Sequence, residues 1–244
     1  MSGNVVVIIP AAGTGSRFGG PLPKQFQSLA GKPLVQHVIE RFLIDENVSR
    51  VVVAVAEVLL GSVKNSERVS FVAGGETRQQ SVIRAMAEAD EAELIAVHDA
   101  ARPLFSPAIF HAVIAAARES GAALPVIPVP DTIHVMNADA TVAQTLDRTM
   151  LGAAQTPQCF RAEILRDILE RAQRDGVEGT DEAGLAVRYG YTVRGVPGDP
   201  RNLKITVPED LELAESYLRE VMAAHTCAEG VLLSSGTWLV TARR

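Results

Sequence analysis

Unbroken apolar runs alternate with amphipathic stretches over the first half of the chain. Val5 to Ile9, Arg50 to Val55 and Leu94 to Val97 are largely β-branched, as expected of strands buried on both faces of a parallel sheet. Val69 to Val72 reads as a shorter strand of the same kind. Between them, Val35, Val38, Ile39, Phe42 and Leu43 recur at helical spacing behind Pro33, which suits a helix's first turn. A second helical stretch runs from Val82 to Ala89. A third opens on Ser106-Pro107, a cap followed by a first-turn proline, and continues through Ile109, Phe110, Val113 and Ile114. Strands that alternate with helices predict an α/β fold with a mostly parallel sheet flanked by helices.

Past residue 122 the pattern loosens. Prolines at 125, 128 and 130 argue against a regular central strand, so the chain is expected to leave the sheet there. Asp131 to Val135 and Ala143 to Leu146 alternate as two short strands around the polar turn Asn137 to Ala140. They predict an arm over about residues 131–150 that buries little by itself and is stabilised by docking on a second subunit. Ala162 to Ala172 is an amphipathic helix, and Asp181-Glu182-Ala183 opens a shorter one. The acidic pair reads as complement to the helix dipole rather than as catalytic carboxylates. Tyr191 to Val196 is a late strand, and Pro208-Glu209-Asp210 starts the last helix, with Leu211, Ala214, Tyr217, Leu218 and Val221 inward. The tail from Thr226 has two apolar runs around Ser234-Ser235-Gly236, a candidate hairpin with no assigned role. One domain over 1–225 with an extension over 226–244 is the expected organisation.

Composition narrows the classes. The 244 residues, 47% hydrophobic and 21% charged, suit a single folded domain with a substantial core. No apolar run is long enough to span a bilayer, and Val5 to Ile9 follows no positive charge, so the reading is cytoplasmic. Cys159 and Cys227 have no metal-ligand spacing and make no disulfide framework. A net charge of −6 argues against nonspecific nucleic-acid binding. Any anionic ligand must then be held by local cations.

Those cations cluster after the first strand, in Pro10-Ala11-Ala12-Gly13-Thr14-Gly15-Ser16-Arg17-Phe18-Gly19-Gly20, which runs on to Pro23-Lys24-Gln25. The glycines let backbone N–H groups approach an anion. Arg17 adds a planar fork and Lys24 a compact point charge. A dinucleotide fingerprint needs an acidic residue about 20 positions on, which is missing, and a P-loop needs Gly-Lys-Ser/Thr, which does not occur. The stretch therefore reads as a triphosphate cradle. Gly74-Gly75-Glu76-Thr77-Arg78-Gln79-Gln80-Ser81 is a second glycine pair after a strand. It is either a plain turn with Thr77 capping a helix or a loop whose backbone and Ser81 hydroxyl meet the edge of a base. Asp99, just past the Leu94 to Val97 strand, is placed to hold Mg²⁺ on phosphates. Arg102 either pairs with Asp99 or reaches a second anionic substrate, and His98 reads as structural.

Taken in order, Pro10-Ala11-Ala12-Gly13-x-Gly15-x-Arg17, Pro23-Lys24-Gln25, His98-Asp99-Ala100-Ala101-Arg102-Pro103, Asp131-Thr132, Asp147-Arg148, Thr156-Pro157-Gln158 and Asn202-Leu203-Lys204-Ile205-Thr206 resemble the 2-C-methyl-D-erythritol 4-phosphate cytidylyltransferases over about residues 4 to 225. The resemblance implies a Rossmann-like nucleotidyltransferase domain of the non-mevalonate isoprenoid pathway. It implies that the Ala11, Ala12, Gly13 and Gly15 backbone with Arg17 and Lys24 holds the CTP phosphates, and that Gly74, Gly75, Glu76 and Ser81 recognise cytosine. Asp99 would bind Mg²⁺, Lys204 would reach the α-phosphate, and Arg102 and Thr156 would contact methylerythritol phosphate. Thr132 and Arg148 would come from the partner subunit of a homodimer. Ribitol-phosphate cytidylyltransferases share the plan, although Pro-Ala-Ala-Gly and His-Asp-Ala-Ala-Arg favour the erythritol enzymes. A noncatalytic nucleotide sensor would not need Arg102, Arg148 and Lys204. Arg201 departs from the acidic residue that relatives often carry beside Asn202.

Overall fold

The computed structural model describes residues 4–13, 15, 18–19, 22–224, 226–227 and 230–231, with side chains described up to residue 220. The chain enters on β1 (Val5–Ala11), and a small ladder of β2 (Ser28–Leu29) with β3 (Lys32–Pro33) leads into α1 (Leu34–Leu43). Three more units follow: β4 (Val48–Val55) and β5 (Val69–Ala73), then α2 (Arg78–Met86), then β6 (Leu94–Val97) and α3 (Pro107–Ser120). The second half contains β7 (Ala122–Pro128), the arm strands β8 (His134–Met136) and β9 (Val142–Thr145), and β10 (Gly152–Ala154) with β11 (Gln158–Arg161). It closes with α4 (Ala162–Asp175), α5 (Glu182–Arg188), β12 (Arg194–Pro197) and α6 (Pro208–Ala224).

Eight strands form one mixed sheet in the order β10-β7-β11-β6-β1-β4-β5, with β12 paired to β7. The N-terminal strands run parallel: β1 lies between β4 and β6, and β5 extends the sheet beyond β4. β11 runs antiparallel to β6 and to β7. Alternation along β1 divides the core, as side chains on successive strand residues must point to opposite faces. Val5, Val7 and Ile9 pack with Val38 and Phe42 of α1 and with Phe110 and Val113 of α3. Val6 and Ile8 face α2 and α4 through Val82, Ala85, Leu165 and Ile168. These apolar faces explain why the helices lie on both sides of a sheet whose central strands are buried throughout.

Several expected boundaries shift. Ala122 to Pro128 does not leave the sheet but forms β7, paired on both sides. Its prolines are tolerated because the partner bulges: Val126 faces Ala154 and Ala123 faces Cys159, so an irregular segment of the partner lies opposite Pro125. A missing N–H costs least at such a bulge. Pro128 ends the strand. α2 begins at Arg78 rather than Val82 because Thr77 caps it, its side chain accepting from the Gln80 N–H. Pro33 occupies the N-cap of α1 instead of its first turn. The late strand starts at Arg194, since Tyr191 is held against the helical layer by a 2.9 Å bond from its hydroxyl to Asp167.

The arm is present as an antiparallel hairpin apart from the main sheet, with Val135, Met136 and Val142 exposed. Thr226–Cys227 and Gly230–Val231 pair as a two-residue ladder. The candidate hairpin around Ser234 to Gly236 lies outside the described residues.

Candidate active site

The carboxyl ends of β1, β5 and β6 open onto a cleft of about 350 Å³. Such an edge, where the sheet's strand order turns outward from its central strand, is where open α/β folds hold ligands. Ala11, Ala12, Gly13, Gly15 and Lys24 form one wall, Gly75, Glu76 and Ser81 the other, and Asp99 and Lys204 face both. Arg17 lies outside the described residues.

The first wall is fixed by Gln25, which itself lines the cleft and is not among the expected site residues. Gln25 is buried, and its Nε2 donates to the carbonyls of Ala11 at 2.7 Å and Gly13 at 2.8 Å. Gly15 has φ of +68°, and a Cβ there would stand 2.9 Å from the Lys24 backbone nitrogen. Only glycine accepts both that φ and that approach. Lys24 opens a single 3₁₀ turn, Lys24–Phe26, which carries its side chain to the cleft.

The second loop combines the expected helix cap with a place on the cleft. Thr77 does cap α2, and the loop also lines the cleft. The Ser81 hydroxyl donates to the Thr77 carbonyl at 2.9 Å and accepts the Gly75 N–H at 3.1 Å. It therefore organises the loop from within. Arg84 donates to the Gly74 carbonyl at 2.6 Å, and the Glu76 N–H bonds Gln80 Oε1 at 3.0 Å. A Cβ on Gly74 would stand 2.2 Å from the Ala12 Cβ. The two glycine-rich loops thus touch.

Asp99 sits within a shell of cations. Its carboxylate lies 2.9 Å from Lys204 Nζ, 3.4 Å from Arg78 Nε and 3.5 Å from Arg102 Nε. Burial works to raise its pKa, but Arg78, Lys204 and Arg102 together hold it well below the usual carboxylate range. Arg78 is in turn gripped by buried Glu182, both of whose oxygens lie 2.7 Å from Nη1. Burial works to lower the Arg78 pKa, and Glu182 and Asp99 outweigh it. Glu182 is therefore more than a complement to the α5 dipole, and Asp181 is the N-cap, accepting from the Gly184 N–H.

His98 is buried, and burial pushes its pKa down to about 3. Its Nε2 lies 3.0 Å from the Arg102 carbonyl, which can only accept, so Nε2 carries the proton. Nδ1 then accepts from the Thr156 hydroxyl at 3.0 Å, and the Thr156 oxygen accepts the Asp99 N–H at 3.1 Å. His98 is structural, and Thr156 stands behind Asp99 rather than on the cleft wall. Arg102 is also anchored, donating to the Asn202 carbonyl at 2.6 Å and to the Ala154 carbonyl at 3.5 Å. Of its two expected roles, this geometry has the pairing with Asp99. Thr132 and Arg148 are exposed on the arm, where Arg148 donates to the Pro130 carbonyl, and neither lines the cleft. Arg201 is exposed, with its N–H on Asp199 at 2.8 Å.

The donor chemistry for a metal is one carboxylate. Among the described residues no group of three or more His, Cys, Asp and Glu is placed to hold an ion. A lone Asp99 fits Mg²⁺, which keeps waters and takes one or two carboxylates when phosphate oxygens supply further ligands. It does not fit a metal caged by protein alone.

Known proteins resemble this chain in sequence and in overall fold. The model of the IspD family, 2-C-methyl-D-erythritol 4-phosphate cytidylyltransferase, matches residues 5–220. Relatives of that name from Acidobacterium capsulatum and Solibacter usitatus are 43% and 41% identical, covering 88% and 91% of this chain and 98% of each relative. A crystal structure of the Thermus thermophilus enzyme of that name is 36% identical, with a TM-score of 0.75 over 88% of this chain and 99% of the other. The chain therefore belongs to the IspD family of 2-C-methyl-D-erythritol 4-phosphate cytidylyltransferases.

Proposed function

We propose the following division of labour for cytidylyl transfer from CTP to 2-C-methyl-D-erythritol 4-phosphate, the reaction that family membership assigns to this chain. A phosphate oxygen of the acceptor attacks the α-phosphorus of CTP in line, and pyrophosphate leaves. No side-chain nucleophile is required. The backbone of Ala11 to Gly15, with Arg17 and Lys24, holds the triphosphate, and Lys24 meets the charge that grows on the departing pyrophosphate. Gly74, Gly75, Glu76 and Ser81 take the cytosine. Lys204 turns to the α-phosphate, and Arg102 and Thr156 serve the acceptor's side of the site from behind Asp99, Arg102 through its ion pair and Thr156 through the Asp99 N–H. Asp99 would hold Mg²⁺ together with phosphate oxygens, and that ion, when bound, supplies Lewis-acid neutralisation of the phosphates. The protein's own contribution is to bring two anions together in a fixed orientation.

The single observation that carries this reading is the convergence of Lys24, Lys204 and Asp99 on one cleft between two touching glycine loops. The exposed apolar side chains of the two-stranded arm, Val135, Met136 and Val142, support a homodimer in which the partner subunit covers the arm and receives Thr132 and Arg148. The cytoplasm is the compartment proposed. Among the described residues no helix is long and apolar enough to cross a membrane. Pyrophosphate release measured with CTP and methylerythritol phosphate, against CTP and ribitol 5-phosphate, tests the reading. Rapid release with the first pair is expected. Preference for ribitol phosphate would move the chain to the related activity, and CTP binding without release would make it a sensor.

A further inference from the structure

Three cations surround Asp99, and each is anchored differently. Arg102 is tied to two main-chain carbonyls, whereas Lys204 extends over one ion pair on a flexible stem. Arg78 stands between. It is the first residue of α2, directly behind the base-side loop, and it lines the cleft where phosphates are expected. An arginine there is a natural bidentate ligand for phosphate. What turns it to Asp99 instead is Glu182, whose side chain is 1% exposed and whose two oxygens both lie 2.7 Å from Arg78 Nη1.

Glu182 is itself held in place. The first turn of α5 is clamped to the start of β11 through Gln158, whose Nε2 donates to Asp181 at 2.8 Å and whose Oε1 accepts the Ala183 N–H at 3.0 Å. β11 pairs with β6, the strand that delivers Asp99. A rigid path therefore runs from the sheet through Glu182 and Arg78 to the Asp99 carboxylate.

We propose that Glu182 is a positioning residue for the transfer step, acting through Arg78 to keep the Asp99 carboxylate aimed into the cleft when the nucleotide draws Lys204 away. The inference rests on the reading that a triphosphate occupies this cleft. Without the Glu182 charge, Arg78 follows the triphosphate. CTP is then held as tightly or more so, but Asp99 loses its brace and the reacting groups lose their alignment. Charge-holding partners behind a functional group typically matter by about 10- to 100-fold.

The test is a double-mutant cycle on the full-length protein with Glu182→Gln, Arg78→Gln and the pair, reading kcat and KM for pyrophosphate release, CTP affinity by calorimetry, and Tm. Glu182→Gln is expected to lower kcat by about 10- to 100-fold with CTP affinity unchanged or raised. It should cost little more in an Arg78→Gln background, and Glu182→Asp, which restores the charge, should recover part of kcat. Equal kcat losses in both backgrounds would overturn the proposal, as would a fall in Tm with kcat unchanged, which would leave Glu182 a purely structural partner. A wild-type chain that binds CTP but shows an additive cycle refutes this inference alone. One that binds no CTP refutes the parent reading and this one together.

Discussion

Gly74→Ala tests whether the contact between the two glycine loops sets the geometry of the site. The added methyl would stand 2.2 Å from the Ala12 Cβ and 3.0 Å from Ser81 Oγ. Ordinary carbon contacts lie at about 3.5–4.0 Å, so the loops must part by roughly 1.3 Å or more. Neither can retreat freely. Gln25 ties the carbonyls of Ala11 and Gly13 on either side of Ala12, and Arg84 and Ser81 tie the second loop at Gly74 and Gly75. Overpacking of this kind costs about 1–3 kcal/mol, a Tm drop of roughly 2–12 °C for a chain of this size.

The effect on activity should be larger than the effect on stability. Displacing one wall by about 1 Å can cost on the order of 100-fold, so kcat/KM for pyrophosphate release is expected to fall by about that factor at temperatures where the variant remains folded. Ala12→Gly in the same chain removes the closer of the two clashes and should restore most of the lost activity, leaving the smaller conflict with Ser81. Unchanged kcat/KM in Gly74→Ala, or an Ala12→Gly companion that restores nothing, would refute the idea that loop contact positions the site.

Lys24→Ala is expected to lower turnover at saturating CTP by on the order of 100-fold or more, as for loss of one charge-stabilising group; near-normal turnover would remove Lys24 from the charge-bearing set. Mixing inactive Lys24→Ala and Arg148→Ala chains and allowing subunit exchange should recover activity if the arm completes the partner's site, and no recovery would mean that each site is built within one chain. His98 gives a stability signature in acid. Its folded pKa, lowered by burial to about 3, lies below the unfolded value of about 6.5, so the unfolded chain binds the extra proton between those values. Its contribution is complete above pH of about 6.5 and declines below it by up to ~1.4 kcal/mol per pH unit. Denaturant unfolding of the wild type and His98→Gln between pH of about 6.5 and 4.5 should differ in slope by about one proton, and equal slopes would contradict the assignment.

What could be read from the sequence was whatever is local along the chain. β1 and its loop declare themselves because a β-branched run, a glycine series and two cations are contiguous. The Ser106 cap with Pro107 marks the start of α3 for the same reason. Elements decided by distant partners are not legible locally. β7 looked too rich in proline to be a strand, and only the bulge in the segment leading into β11 makes room for Pro125. Glu182 looked like a helix-terminus charge because its partner Arg78 lies 104 positions away. Gln25 stood beside Lys24 in a visible motif, yet that a buried amide would hold the carbonyls of Ala11 and Gly13 needs the fold of the loop. Its signal was a polar side chain amid a tight, proline-flanked turn.

Electrostatics explains why an acidic chain can present an anion site. The net charge is −6, so attraction must come from cations placed locally, and those near Asp99 are largely neutralised by it and by Glu182. Such a cluster is stable alone and still able to rearrange. The cation that yields to a ligand should be the most exposed and least anchored. Side-chain exposure is 37% for Lys204, 26% for Arg78 and 12% for Arg102. Both arginines hold further hydrogen bonds, to Glu182 and to main-chain carbonyls, that a phosphate would have to break. Lys204 can exchange one carboxylate for one phosphate oxygen by rotating its stem, at little cost in lost partners. Under the proposed assignment its pairing with Asp99 is a resting position, with the two arginines as the frame of that exchange.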